Sequence, residues 1–211
     1  MPCGPILSYK AFYELQAWYC AAKDFSNWAC YVSGPPRDGE EQKQWVLCGS
    51  VCLLDISLPS RRFEIGAIWF HPSVHGTFVM LEVAYALLRF SFERLQAGRV
   101  QWKTHHRNIA SQKAAVKLGF DFEGLHRKHL IHVDGTWRNS YYYSMTDDDW
   151  LGREETTDGR QNLDVVAAAK AMEQEGVASQ GRQNRLEELI VQRKREGRPL
   201  RDSIVRAGSL E

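Results

Sequence analysis

The spacing of apolar and polar positions changes period several times along this chain, and each change marks an element. Phe63 to Leu95 organise the rest. FEIGAIWFHP has the spacing of a strand, SVHGT is a turn, and FVMLEVAYALLRFSFERL runs as one long helix, expected from about Thr77 to Ala97. Its polar positions Glu82, Arg89, Glu93 and Gln96 form a narrow stripe, so most of its surface is covered. Gly98 follows in the C′ position. Upstream, Phe12, Leu15, Tyr19 and Ala22 predict a short amphipathic helix over residues 9–23. WACYV (28–32), WVLCGSVCLLDI (45–56) and residues 62–70 predict three strands. Gly34-Pro35-Pro36 and Leu58-Pro59-Ser60 supply the turns, so an antiparallel meander is expected. Gly49 inside the second strand predicts a bulge or a close backbone approach.

After the long helix, RVQWKTH (99–105) predicts a strand parallel to residues 62–70, joined to it by a right-handed crossover. Asn108 caps a second helix, with Ala110, Ala114 and Leu118 on one face and Gly119 at its end. Phe120–Val133 and Thr136–Met145 predict a hairpin turning at Asp134-Gly135. The fold class is α/β of the α+β type: a mixed, largely antiparallel central sheet with packed helices.

Composition sets the boundary. Every Trp, Tyr and Phe lies at or before Trp150. A packed core needs such side chains, so a domain over residues 1–150 and a polar tail over 151–211 are expected. In the tail, Leu163–Glu175 and Leu186–Arg195 have helical propensity, but neither offers a face large enough to fold alone. The tail is expected to be partly helical or disordered.

Charge and cysteine use exclude several classes. Of 211 residues, 44% are hydrophobic and 25% charged, and the net charge is +1. That balance gives no case for nucleic-acid or membrane-surface binding. Glu82, Arg89, Glu93 and Arg94 interrupt the most apolar helix, which marks it as a core helix and not a membrane span. The five cysteines, Cys3, Cys20, Cys30, Cys48 and Cys52, form no C-x-x-C pair. Reduced, half-buried thiols in a cytoplasmic protein are expected. The Arg193-Lys194-Arg195 run is expected to be solvated, with nuclear entry or an anionic partner as the lesser reading.

Two groups of residues are candidates for chemistry. At His75-Gly76-Thr77 a helix begins after a strand, and the unpaired N–H groups of a helix start suit phosphate. Gly76 lets the backbone approach a ligand, and Thr77 can cap the helix or donate its hydroxyl. Seven histidines fall between His71 and His132. His105-His106 and His126-x-x-His129-x-x-His132 imitate metal spacing. A period of three on a strand divides side chains between faces, however, so a surface or substrate-cleft role is expected and no metal.

Taken in order, several short motifs resemble the GNAT superfamily of acetyl-CoA-dependent N-acetyltransferases, and most of all the branch of the ribosomal-protein N-terminal acetyltransferases. They are Glu64-Ile65-Gly66, Trp69-Phe70-His71-Pro72-Ser73, Gly76-Thr77, Arg99-Val100, Lys103-Thr104, Asn108-x-x-Ser111, Leu118-Gly119-Phe120, Glu123-Gly124, Arg127-Lys128-His129 and Asp134-Gly135, spanning residues 28–150. The resemblance implies a GNAT-like acyl-CoA N-acyltransferase fold with acetyl-CoA as cosubstrate and no metal. It implies that the strand Trp69-Phe70-His71 splays from its parallel neighbour and that its main chain holds the pantetheine arm. The turn Ser73 to Phe78, with His75, Gly76 and Thr77, would wrap the pyrophosphate. Phe78 stands where the family has Gly or Ala, and Ser73 where it has Gln or Arg. The Phe78 side chain either points to the core or crowds the phosphate. Asn108 would contact the pantetheine, and Ser111 would protonate the departing thiolate.

The implied reaction is direct attack of a primary amine, on a protein N-terminus or a small molecule, at the thioester carbonyl. A base must take the amine proton, and Glu64, Glu123 and His129 are the candidates. A main-chain N–H near Phe70 would donate to the developing oxyanion. Relative to this branch the chain looks short of a strand and helix at its N-terminal end. That would leave the Trp28 strand as a bare edge open to self-association. The alternative reading follows from the same shortening: a truncated, non-catalytic GNAT-like domain that binds CoA or serves as an interaction module.

Overall fold

The computed structural model describes Lys10, Glu14, Ala17, Ala21 and residues 24–33, 45–153 and 182–196. Lys10, Glu14, Ala17 and Ala21 are helical and exposed. The other positions of the helix expected over 9–23, together with Cys3, Cys20 and the helix expected over 163–175, lie outside the described residues.

Six strands form one sheet: β1 (Ser26–Ser33), β2 (Trp45–Ser57), β3 (Arg62–Phe70), β4 (Arg99–His105), β5 (Asp121–Ile131) and β6 (Trp137–Thr146). Their spatial order is β1-β2-β3-β4-β6-β5. β3 and β4 are parallel and every other pairing is antiparallel. The expected meander, crossover and hairpin are all present. Gly49 is the expected close approach: a Cβ there would lie 2.3 Å from Phe70 Cδ1 and 2.4 Å from the Trp69 carbonyl oxygen. Among the described residues β1 is an edge strand.

Helix α1 covers Val79–Arg89 and continues as a wide turn over Phe90–Arg94. That turn overrides the expected ending at Gly98. The Leu95 N–H reaches back to the Phe90 carbonyl and the Ala97 N–H to that of Ser91, so the chain leaves the helix early. Gln96, at φ 51, takes the left-handed position instead. Helix α2 (Ile109–Leu118) has the expected caps, with the Asn108 side chain accepting from the Ser111 N–H and Gly119 left-handed at φ 91. A short helix α3 (Asp147–Leu151) is closed by a capping box between Thr146 and Asp149.

Strand register gives the sheet two unlike faces. Phe63 lies opposite Val100, Val100 opposite Met145, and Trp102 opposite Tyr143, and all are buried. The core continues from them into α1 and to Trp150, whose ring stacks on Phe92 at 5.4 Å. The alternate positions are polar: Glu64 lies opposite Gln101, Gln101 opposite Ser144, and Lys103 opposite Tyr142.

Helix α4 (Arg182–Arg195) has the helical form expected from Leu186 onward, and it also has a partner. Leu186 and Ile190 are buried against the core. Glu187 accepts from the Tyr85 hydroxyl, and Arg182 pairs with Asp121 at 2.6 Å and Asp149 at 3.3 Å. The basic run is not purely solvated, because Lys194 pairs with Glu82 on α1.

Candidate functional site

The site begins where β3 and β4 stop pairing. They are in register at only three points, Arg62 with Arg99, Phe63 with Val100 and Glu64 with Gln101. Beyond Glu64 the strands diverge around a cleft of about 680 Å³. Local sequence explains the bend. The β2–β3 register shifts between Ser50 and Cys52, and Ala67 sits at φ 46, so an extra β3 residue bulges and turns the strand aside. From Ile65 onward β3 has β2 along one edge and the cleft along the other. Main-chain amides on such an edge need partners, and the two amides of a pantetheine arm fit that requirement.

One end of the cleft is closed by the turn into α1. Pro72–Val74 form a single 3₁₀ turn, followed by His75, Gly76 at φ 75, and Thr77. His71 is spent locally, with Nδ1 2.6 Å from Ser73 Oγ. His75 Nε2 donates to the Phe70 carbonyl at 2.9 Å, which fixes its ring at the cleft wall. The Thr77 hydroxyl donates to the Val74 carbonyl (2.7 Å) and accepts from the Val79 N–H (3.2 Å), so it acts as a cap. Phe78 points away from the cleft: its ring packs on the core, with Lys194 Nζ 5.5 Å from its centroid. Of the two readings of this Phe, the structure supports the core-facing one.

Helix α2 forms one wall. Asn108 and Ser111 both line the cleft. Asn108 Oδ1 accepts from the Ser111 N–H at 3.1 Å. Ser111 Oγ accepts from Trp102 Nε1 at 3.0 Å, which leaves the hydroxyl proton free to point at a ligand.

Residues of the polar face also line the cleft, Lys103 and Arg138 among them. Lys103 has its Nζ 2.8 Å from Glu64 and is ion-paired to Asp55 as well. Glu64 is 7% exposed and lies just behind Gly66, where an added Cβ would come 3.2 Å from Glu64 Oε1. Burial pushes its carboxyl up to about 7, against the opposing pull of Lys103. Burial lowers the Lys103 ammonium, but Glu64 and Asp55 outweigh it and hold the group above its ordinary value. Tyr142 lies under Lys103, with Nζ 5.3 Å from the ring centroid, and its hydroxyl is 2.7 Å from His129 Nε2.

The structure brings Phe70, His75, Gly76, Thr77, Asn108 and Ser111 together on the cleft, with Glu64 immediately behind its wall. It does not bring the other expected residues there. Trp69 is 56% exposed, and His71 and Phe78 serve the turn and the core. Glu123 is ion-paired to Arg99 and accepts from Ser144 at 2.8 Å. The Arg99 hydrogen bond holds its carboxyl below the ordinary range. His129 has both nitrogens engaged, Nδ1 with Ser140 at 3.0 Å and Nε2 with Tyr142, and burial lowers its pKa.

The histidine spacing is a correction. His126 and His129 do not fall on opposite faces: His126 stacks on Tyr142 at 3.6 Å and His129 meets the same ring at 5.2 Å. A register shift between His126 and Leu130, with Lys128 at φ 51, resets the alternation. Among the described residues no three His, Cys, Asp or Glu side chains gather as metal ligands. Cys30, Cys48 and Cys52 are free and buried, and burial pushes Cys30 to about 11 and Cys52 to about 12.

Sequence reasoning missed Ala67, Lys103 as the partner of Glu64, Tyr142 and Arg138. The alternation of Trp102 with Lys103 was a legible signal that Lys103 faces away from the core. No signal in the sequence paired it with Glu64.

Comparisons with known proteins agree with this geometry. A family model described as an acetyltransferase (GNAT) domain matches residues 9–121. A Bacillus subtilis (strain 168) protein named "Putative ribosomal N-acetyltransferase YdaF" is 29% identical over 106 residues, 50% of this chain and 57% of that protein. The chain spans about half the length of the curated relatives it matches. A Chromobacterium violaceum ATCC 12472 structure described as a probable GNAT-family acetyltransferase superposes with a TM-score of 0.61 at 28% identity. The match covers 71% of this chain and 70% of that one. A spermidine N-acetyltransferase from Vibrio cholerae shares the fold at 20% identity and a TM-score of 0.52, over 72% of this chain and 82% of that one. Among the described residues no helix is long and apolar enough to cross a membrane.

Proposed function

The chain belongs to the GNAT acetyltransferase family, and from that premise we propose that it transfers the acetyl group of acetyl-CoA to a primary amine. The observation that carries the reading is the separation of β3 from β4 beyond Glu64, with a glycine turn at one end of the cleft and a carboxyl of raised pKa behind its wall. The turn at His75-Gly76-Thr77 receives the pyrophosphate, and the free edge of β3 receives the pantetheine amides. Ser111, its oxygen already engaged by Trp102, donates its proton to the departing sulfur.

Of the three base candidates Glu64 is the one the geometry favours. Arg99 holds the Glu123 carboxyl below its ordinary range, whereas burial raises Glu64 despite its pairing with Lys103, and His129 is held at both nitrogens. A carboxyl poised at about 7 exchanges a proton near neutral pH, and through one water it can reach an amine across Gly66. The nitrogen lone pair forms the new amide bond as the carbon–sulfur bond breaks. The amine proton passes to Glu64, the thiolate takes its proton from Ser111, and water returns a proton to Ser111 as Glu64 releases its own.

Calorimetric titration with acetyl-CoA and CoA, followed by acetyl transfer to an amine panel, tests the reading. Saturable binding that Gly76→Glu removes, with turnover that Ser111→Ala slows, is the expected result. Absence of binding at high protein concentration overturns it. Binding without transfer to any amine points to the non-catalytic CoA-binding domain instead.

A further inference from the structure

The cleft wall is strongly basic. Lys103, Lys113, Lys117 and Arg138 line it, and no Asp or Glu does. The four cations divide by position. Lys113 and Lys117 stand on α2, on the Ser111 side. Lys103 and Arg138 stand on the polar face: position 103 pairs with Tyr142 and position 105 with Ser140, and Arg138 is two residues from Ser140 on the same strand. Lys103 is neutralised by Glu64 and Asp55.

Arg138 has no carboxylate in ion-pair range among the described residues. Its hydrogen bond there runs from Nε to Ser140 Oγ at 3.1 Å, and Ser140 is completely buried. Ser140 Oγ is in turn 3.0 Å from His129 Nδ1, which Tyr142 holds from the other side. The guanidinium is therefore anchored at Nε to a buried hydroxyl that is itself held by His129, and the Arg138 side chain lines the cleft. Burial lowers the Arg138 pKa, and the more distant Glu64 offsets this only in part. A planar fork held this way binds a carboxylate with two parallel hydrogen bonds.

We propose that Arg138 is the acceptor-specificity residue and that the acceptor is an amine whose own skeleton carries a carboxylate, such as a free amino acid or a peptide N-terminus followed by an acidic residue. This rests on the function proposed above and deepens it. Glu64 lies close enough to act on the Arg138 charge, so one acceptor can set its amine toward Glu64 and its carboxylate on Arg138. A polyamine would instead bring a second cation beside Arg138 and be disfavoured.

The test measures acetyl transfer from acetyl-CoA to matched acceptors. Free amino acids are compared with their amides, peptides with Asp at the second position with peptides carrying Asn there, and spermidine is added. Each is run on the full chain and on Arg138→Gln and Arg138→Lys. Comparing variants on the same acceptor cancels differences in amine basicity. The expected result is a preference for the carboxylate member of about ten- to a hundredfold, expressed in acceptor KM. Arg138→Gln should erase it and Arg138→Lys should restore part of it, while acetyl-CoA affinity by calorimetry stays constant. The amino-acid and peptide arms show which source of carboxylate fits. Equal rates within pairs, a preference that survives Arg138→Gln, spermidine as the best acceptor, or acetyl-CoA binding with no product from any acceptor each overturn the inference. Loss of acetyl-CoA binding by the unaltered chain would instead overturn the function on which it rests.

Discussion

The two faces of the central sheet are built from neighbouring residues and behave as different materials. Phe63, Val100, Trp102 and Met145 alternate with Glu64, Gln101, Lys103 and Ser144 along the same three strands. The first set is almost fully buried and hydrocarbon or aromatic, and it stabilises by removing apolar surface from water. Glu64, Gln101 and Ser144 of the second set are buried too, yet they are polar. Burial of such groups is costly unless they are paired, and here Glu64 pairs with Lys103, Lys103 also with Asp55, and Ser144 with Glu123. A sheet that places such groups in its centre trades stability for chemistry.

The contrast breaks most sharply at Val100. Val100→Asp puts an unpaired carboxylate into the apolar face and should cost more than about 4 kcal/mol, read as loss of a cooperative unfolding transition. On the opposite face Glu64→Gln should leave the chain folded and slow acetyl transfer by about 100-fold or more. Its pH dependence adds a second readout. In the unaltered protein the rate should rise through about pH 7 as Glu64 ionises, and the variant should keep only the rise due to the amine itself. Stability carries the opposite sign. A carboxyl whose folded pKa is raised from 4.5 to about 7 contributes fully below 4.5 and loses that contribution as pH climbs through 7. Denaturant midpoints of the unaltered protein should therefore fall relative to Glu64→Gln across that window.

Lys103→Met sharpens the comparison. Removing the cation that lowers the Glu64 pKa should move the rate inflection to higher pH; an unmoved inflection would mean that another group sets it. The smallest effect is expected from Trp102→Phe, which deletes the hydrogen bond from Trp102 Nε1 to Ser111. About 0.5–1.5 kcal/mol of stability should go with it, measured by denaturant unfolding.

Much of the fold was legible because its signals are local. Alternation located the strands to within about two residues at either end, and Asn108, Gly119 and Asp134-Gly135 marked a cap, a helix end and a hairpin. The turn and cap that line the cleft were legible for the same reason, since Gly76-Thr77 and Asn108-x-x-Ser111 each sit within one turn of chain. What sequence misjudged depends on backbone irregularity or on distant partners. The bulge at Lys128 undid the period-three argument for His126 and His129. The wide turn after Arg89 ended the long helix before Gly98. Helix α4 had no visible partner in its own sequence, because the groove that receives Leu186 and Ile190 is made by residues about a hundred positions earlier.

The sequence by itself determined the elements, their order and the glycine turn into α1, because hydrophobic period, caps and turn residues act over a few bonds. Only the tertiary structure decided the rest. Whether Phe78 blocked or spared the turn depended on α4 and the core beneath it. Which carboxyl sat at a raised pKa depended on sheet register, which buries Glu64 beside Lys103 and leaves Glu123 on Arg99. Burial and charge pairing are properties of neighbours in space, and the strands that supply those neighbours lie far apart along the chain.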